Sequence, residues 1–271
     1  MKKYLILLLV AIAATSCEET VDVDLGTSKP RLVIDALIRW NRGTPGNEQQ
    51  VRLSMTAPYF SEQVPPVSGA QVSVLDTEGN TFQFIEDGTT GVYKCNNFIP
   101  EIGREYTLTV ISAGKTYMAT EAMKAAPVIT NLTQNDEGGF TGQDIEVRTF
   151  FSDNGATDDF YLFRFKPSYY AIPEYEVVED RFFQGNEIFA LYSDEDLDHG
   201  DELQVSIFGI SQRYYNYMNI LTSIAGSNGG SPFQSPPATV RGNIINTTNP
   251  DDYPLGFFAA SEVDNRTYTV E

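Results

Sequence analysis

Histidine, cysteine and tryptophan are nearly missing from this chain. One histidine (His199), two cysteines (Cys17 and Cys95) and one tryptophan occur in 271 residues. Zinc sites built on several His or Cys ligands are excluded by count. A Ser-His-Asp or Cys-His arrangement would have to use His199, which stands in the polar stretch Asp194-Glu-Asp-Leu-Asp-His-Gly-Asp-Glu202 with no recognisable nucleophile near it. No glycine-rich phosphate loop of the G-x-x-x-x-G-K-[ST] form is present. Positive charge is also scarce: 18 Lys and Arg stand against 37 Asp and Glu, a net charge of −19. A chain so acidic is repelled by nucleic acid, and nucleic-acid binding is excluded.

Long hydrophobic runs are absent but for one at the start. Met1-Lys2-Lys3 is basic, Tyr4 to Ala14 is apolar, and Ala14-Thr15-Ser16 sets small residues before Cys17. The run is shorter than the about 20 residues a transmembrane helix needs, so residues 1–16 read as a signal peptide that is removed. Cleavage directly before a cysteine is the pattern of a bacterial lipoprotein, with Cys17 as the acylated N-terminus. Ala14 departs from that pattern, where Leu is commoner, and an ordinary secretory signal with a chance cysteine is the alternative. Removal of residues 1–16 leaves 16 Lys and Arg against 37 acids, a net charge of −21. With Cys17 lipidated, Cys95 has no partner for a disulfide and packs as a small apolar residue.

Residues 17–30 form the acylated cysteine and an acidic tether. Glu18 and Glu19 are similar to an acidic signal that sends lipoproteins to the cell surface, a plain solvated linker being the other reading. From Arg31 the chain alternates apolar and polar residues in short runs, as at Leu32, Ile34, Ala36 and Ile38, and turn residues such as Asp76-Thr-Glu-Gly-Asn80 separate the runs. The pattern predicts an immunoglobulin-like β-sandwich over residues 31–124. Ala125-Ala-Pro127 breaks the rhythm. Residues 125–271 then read as a second, aromatic-rich β domain, with strands over Asp144–Phe151, Asp159–Lys166, Glu174–Val178, Arg181–Tyr192, Glu202–Ile210, Val240–Ile245 and Gly256–Val263. One helix is expected at about 212–225, capped by Ser211 and ended by Gly226. Its stripe of Tyr214, Met218 and Leu221 is expected to pack on its own sheet.

Asp194, Asp196 and Asp198 alternate as in the first half of a calcium loop. His199 stands where such a loop needs Gly, and Val205 where it needs Glu, so a solvated hairpin turn is the better reading. No metal and no cofactor is expected. Paired acids for glycoside hydrolysis are defined by their separation, which a sequence does not give.

Several blocks resemble a Bacteroidota lipoprotein family catalogued as domain of unknown function 4249. They are Arg31-Leu-Val-Ile-Asp-Ala-Leu-Ile38, Val51-Arg-Leu-Ser-Met-Thr56, Val67-Ser-Gly-Ala-Gln-Val72, Ile102-Gly-Arg-Glu-Tyr-Thr-Leu108 with Gly114-Lys-Thr-Tyr117, Pro232-Phe-Gln-Ser-Pro-Pro237, Gly242-Asn-Ile-Ile-Asn246, Asn249-Pro250 and Leu255-Gly-Phe-Phe-Ala-Ala-Ser261. The resemblance covers nearly all of the chain after Cys17. It implies a lipoprotein held in the outer membrane by its N-terminal lipid and encoded beside TonB-dependent transporters, and it carries over no catalytic residues. The expected function is therefore a non-enzymatic accessory or ligand-capture partner of such a transporter, facing the cell surface, for an unknown ligand. A structural or adhesive surface lipoprotein is the alternative. The aromatic residues of the second domain and the loop Gly226–Pro237 are the contact candidates, while Gly242, Gly256, Asn243 and Asn246 read as residues that maintain the fold.

Overall fold

The computed structural model describes residues 29–58, 61, 63–181, 183–225 and 240–271. The signal segment, Cys17, the tether to residue 28, the loop 226–239 and with it the Pro232–Pro237 block lie outside the described residues.

The protein is mainly β with one helix. Seven strands follow the alternation of the first region: β1 (Leu32–Asn41), β2 (Gln49–Met55), β3 (Gln71–Asp76), β4 (Thr81–Glu86), β5 (Val92–Cys95), β6 (Glu105–Ser112) and β7 (Lys115–Ala122). The second region holds β8 (Ile129–Gly138), β9 (Asp144–Ser152), β10 (Phe160–Pro167), β11 (Glu174–Glu179), β12 (Glu187–Ser193), β13 (Glu202–Ile210), α1 (Gln212–Ala225), β14 (Ile245–Asn246) and β15 (Leu255–Thr269). Twelve strands form one curled sheet in the order β11-β10-β13-β15-β1-β2-β5-β4-β3-β6-β7-β14, and β12-β9-β8 form a second sheet.

The part of the large sheet from β1 to β14 folds over itself into an immunoglobulin-like sandwich. Alternate residues of β1, β2, β3 and β6, among them Ile34, Leu53, Val74 and Leu108, close one dry core with Phe82, Tyr93 and Phe98. That core also takes Ile244, Phe258 and Ala260 from the last part of the chain. The second core lies between β10-β13-β15 and the three-stranded sheet. It is built on Phe151, Tyr161, Phe163, Phe165 and Tyr192, with Phe163 and Phe165 stacked at 5.8 Å. On the other face of β10, β13 and β15, α1 covers a third cluster of Leu162, Phe208, Ile210, Phe257, Ala259 and Val263. Ser211 caps α1 as expected, its Oγ accepting the Tyr214 N–H at 3.2 Å. Tyr214 and Met218 are buried on the sheet, and Leu221 is 37% exposed.

β15 is the strand the two cores share. It pairs in parallel with β1, from Val33 opposite Leu255 to Asn41 opposite Val263, and antiparallel with β13 on its other edge. Phe258 and Ala260 face the first core while Phe257 and Ala259 face α1. This is why Leu255-Gly-Phe-Phe-Ala-Ala reads as an unbroken apolar run. Gly256 has φ +95°, and a Cβ there would lie 2.0 Å from the Ile34 carbonyl oxygen. A Cβ on Gly242 would lie 1.7 Å from the Gly256 oxygen. Asn243 then locks this contact: its Oδ1 accepts the Phe258 N–H at 2.9 Å, and its Nδ2 donates to the Phe258 carbonyl at 2.8 Å and to Glu121 at 3.0 Å.

Three local expectations are corrected. Val240–Ile245 forms no strand beyond Ile245–Asn246, because Gly242 and Asn243 are committed to the backbone of Gly256 and Phe258. Arg181–Tyr192 becomes a strand only from Glu187, after a turn in which Asp180 and Phe183 carbonyls accept the Phe183 and Asn186 N–H groups. The acidic turn 194–201 is no hairpin, since β12 pairs with β9 while β13 pairs with β10 and β15. It carries the chain from one sheet to the other.

Gly256→Ala is expected to cost about 3 kcal/mol or more, combining left-handed strain with a backbone clash. At about 2–4 °C per kcal/mol for a chain this size, thermal melting should show a Tm lowered by roughly 6–12 °C. Gly79→Ala, also at positive φ but facing open space, should lose about 1–2 kcal/mol, the left-handed strain without the clash.

Candidate functional site

Residues that point away from the first core make the floor of a groove. On β1 these are Asp35, Leu37, Arg39 and Asn41, alternating with the buried Ile34, Ala36 and Ile38. Arg52 on β2 stands opposite Asp35, and Lys94 on β5 and Gln83 on β4 continue the floor across the sheet. This polar part encloses about 790 Å³. At its β15 side it meets a second cavity of about 310 Å³ that runs beneath α1. Asp35, Leu37 and Arg39 line both.

The cavity under α1 is walled by aromatic rings from four elements: Tyr175 on β11, Phe208 on β13, Tyr214 and Tyr217 on α1, and Phe257 on β15. Tyr214 and Tyr217 each pack against Phe257, with ring centres 4.8 and 4.9 Å apart. The helix sits there because Tyr214 and Met218 fall one turn apart on a single face. Burial holds the Tyr214 phenol well above its ordinary range, and the nearby Asp35 charge adds to the effect. The volume is at the small end of the about 300–1,000 Å³ range of small-molecule pockets.

Charge at the junction is sharply placed. Arg39 has its backbone fixed from both sides by Gln49, whose Oε1 accepts the Arg39 N–H and whose Nε2 donates to the Arg39 carbonyl, both at 2.9 Å. Its guanidinium lies 5.9 Å over the Phe208 ring. Neither Arg39 nor Arg52 has a side-chain hydrogen bond or ion pair among the described residues. Asp35 keeps contact with solvent on the groove floor. Enough water is still excluded there that burial raises its carboxyl above the usual value, against the pull of Arg39 and Arg52.

The residues singled out in the sequence sit elsewhere. His199 is exposed and its ring contacts the Glu271 carbonyl. Asp194 accepts hydrogen bonds from the Asp196 N–H at 2.9 Å and the Tyr169 hydroxyl at 3.4 Å, and Asp196 accepts from the Tyr170 hydroxyl at 2.8 Å. The bond to Asp196 leads the causes that push Tyr170 up to about 12. The Asp194 and Asp196 carboxylates are therefore engaged in closing the turn. Cys95 is buried, with its thiol donating to Asn97 Oδ1 at 3.2 Å, and burial pushes the thiol up.

A trio of carboxylates that no sequence spacing revealed does come together. Asp153, Asp159 and Asp180 bring one oxygen each within 4.8 Å of the others. Residue type would suit a hard cation, but four of the oxygens already accept protein donors. Asp153 takes the Tyr161 hydroxyl at 2.5 Å and the Gly185 N–H at 2.9 Å, Asp159 takes the Thr157 hydroxyl at 2.7 Å, and Asp180 takes the Asp159 N–H at 2.8 Å. Burial raises the Asp180 carboxyl, and the charges of Asp153, Asp159 and Asp158 raise it further.

A family model described as "Domain of unknown function (DUF4249)" matches residues 18–267. The chain belongs to this family. A search of curated proteins finds no match for this DUF4249 chain. Among solved structures, a two-domain fibronectin type-III segment of chicken tenascin is 13% identical, covering 67% of this chain and 91% of that one at a TM-score of 0.23. A DUF4785 family protein from Legionella pneumophila is 9% identical over 66% of this chain and 52% of that one, with a TM-score of 0.26. A chain from a cytokine receptor complex is 9% identical over 67% and 86%, with a TM-score of 0.27. The assignment of this DUF4249 chain as a sandwich rests on its strand pairing and cores. No helix among the described residues is long and apolar enough to cross a membrane.

Asp180→Asn keeps an acceptor for the Asp159 N–H and removes a disfavoured charge. A raised carboxyl binds its proton more readily in the folded state, so the wild type loses stability as pH rises through that raised value. The variant should gain about 2 °C or more in Tm at pH 7. That gain should vanish below the ordinary carboxyl value of 3.8, as melting curves across pH would register.

Proposed function

We propose that this protein is a lipid-anchored ligand-capture component of the outer membrane that works beside a TonB-dependent transporter. The observation that carries the capture role is the continuous groove, polar over β1, β2, β4 and β5 and aromatic beneath α1. It joins a broad polar part to an aromatic part roofed by α1, and a mostly apolar lining with a few placed polar groups is the make-up that small-molecule sites use. Its position supports the same reading, since both β modules contribute to it and pockets concentrate at such junctions.

The anchoring half of the proposal rests on the sequence before Cys17 and on the transporter neighbourhood that the family resemblance implies. A lipid at Cys17 and a tether to residue 30 would hold the groove close to a barrel mouth, where local concentration replaces affinity. Glu18 and Glu19 favour the outer face of the membrane. Under this reading the protein presents a ligand and performs no chemistry on it.

The test is purification of the tagged full chain from its own membranes in mild detergent. It should bring down a TonB-dependent barrel identified by mass spectrometry, and Cys17→Ala should abolish fatty-acid labelling and move the protein out of the outer-membrane fraction. A labelled, membrane-bound chain that purifies alone would contradict the transporter partnership. Deletion should reduce nutrient uptake; loss of surface attachment with uptake intact would support the adhesive alternative instead.

A further inference from the structure

The two parts of the groove meet at a place with a distinct recognition chemistry. The apolar end offers about 310 Å³, enough for a two-ring body or a short acyl chain and too little for a two-chain lipid. Its walls are flat rings, Tyr175, Phe208, Tyr217 and Phe257, which favour stacking against a planar or narrow apolar body. At its mouth stands the Arg39 guanidinium, which lines both parts, while Arg52 lies farther out on the polar floor opposite Asp35, in a chain that is otherwise strongly acidic.

The acids nearby do not satisfy those cations. Asp35 stands opposite Arg52 and four residues before Arg39 on β1, and its charged form is opposed by the exclusion of water. Farther along the floor, Asp87 is held by Lys94 at 2.6 Å, and Glu86 accepts the Gly69 and Gly91 N–H groups at 2.9 and 3.2 Å. Glu48 is exposed. The Arg39 guanidinium is oriented toward the pocket wall, lying 5.9 Å over the Phe208 ring.

We propose that the pocket takes a small amphiphile, with an apolar ring or acyl body beneath α1 and one anionic head paired with Arg39 at the junction with the polar floor. This deepens the ligand-capture reading and rests on it. The head can be a carboxylate, phosphate or sulfonate, since a guanidinium fork matches each of them. Asp35 sets the threshold: it repels the head while ionised, so only a ligand whose body fills the pocket overcomes it.

A matched pair of fluorescent probes tests this. Anilinonaphthalene sulfonate and its uncharged parent phenylnaphthylamine share one aromatic body and differ in the anionic group. Titrated against the full lipid-free chain, the sulfonate should bind about tenfold tighter or more, the scale of one charge-assisted contact. Arg39→Gln should remove about tenfold of that affinity and leave the parent unchanged, while Asp35→Asn should tighten the sulfonate several-fold and not the parent. Leu221→Trp, a substitution at the half-exposed rim of the pocket, should weaken both. Should both probes bind equally and Arg39→Gln not separate them, the anionic head is wrong and capture by the pocket stands. Should neither probe respond to Leu221→Trp, the pocket is not a binding site and the capture reading falls with it.

Discussion

The parallel pairing of β1 with β15 is the constraint on which the rest of this structure depends. It joins the first strand after the tether to the last strand of the chain, more than 200 residues apart. Because β15 carries β13 on its other edge, the same strand extends the first sandwich into the second. Its two faces serve different cores, so neither can be repacked without the other. Several polar contacts fix the junction from its sides. Glu262 accepts the Ala126 N–H at 3.0 Å and pairs with Arg42 at 2.8 Å, while the Lys124 N–H donates to the Ala260 carbonyl and the Glu262 N–H donates to the Lys124 carbonyl. Close approach does the remainder: Gly209 leaves room for the Ala125 carbonyl, where a Cβ would lie 1.8 Å away.

The groove is a consequence of that junction. β15 sets the helix-bearing face of β10 and β13 beside the outward face of β1, so the aromatic pocket and the arginine-bearing floor become neighbours. Neither module has the whole site. In a chain of net charge −19, two guanidiniums along one groove with no ion pair among the described residues stand out as a local inversion of the field. The same geometry explains why Asp35 matters more than the many other acids: it is the one that faces both arginines from within the groove.

Much of the fold was legible in the sequence, for physical reasons that also mark where legibility ended. β1 to β7 each bury one face, so their alternation is clean, and α1 announces itself through Ser211 and the spacing of Tyr214 and Met218. β8 escaped because Ile129-Thr-Asn-Leu-Thr-Gln-Asn-Asp-Glu-Gly carries only two apolar side chains and a bulge between Ile129 and Asn131. The polar end of β15, Asp264 to Thr269, was invisible for the same reason. The site was the least legible part. Asp35, Arg39 and Arg52 look like ordinary solvent-facing residues of a half-buried strand, and only the sheet order places Phe208, Tyr217 and Phe257 beside them. The aromatic residues of the second region divide accordingly, Phe163 and Phe165 into its core and Tyr175 and Phe208 into the pocket wall.

The central claim, that two β modules are welded into one unit through β15, is tested most directly by scanning calorimetry of the chain after Cys17. A shared strand requires both cores to unfold together, in a single transition whose calorimetric and van't Hoff enthalpies agree. Two resolved transitions, one for each core, would contradict it.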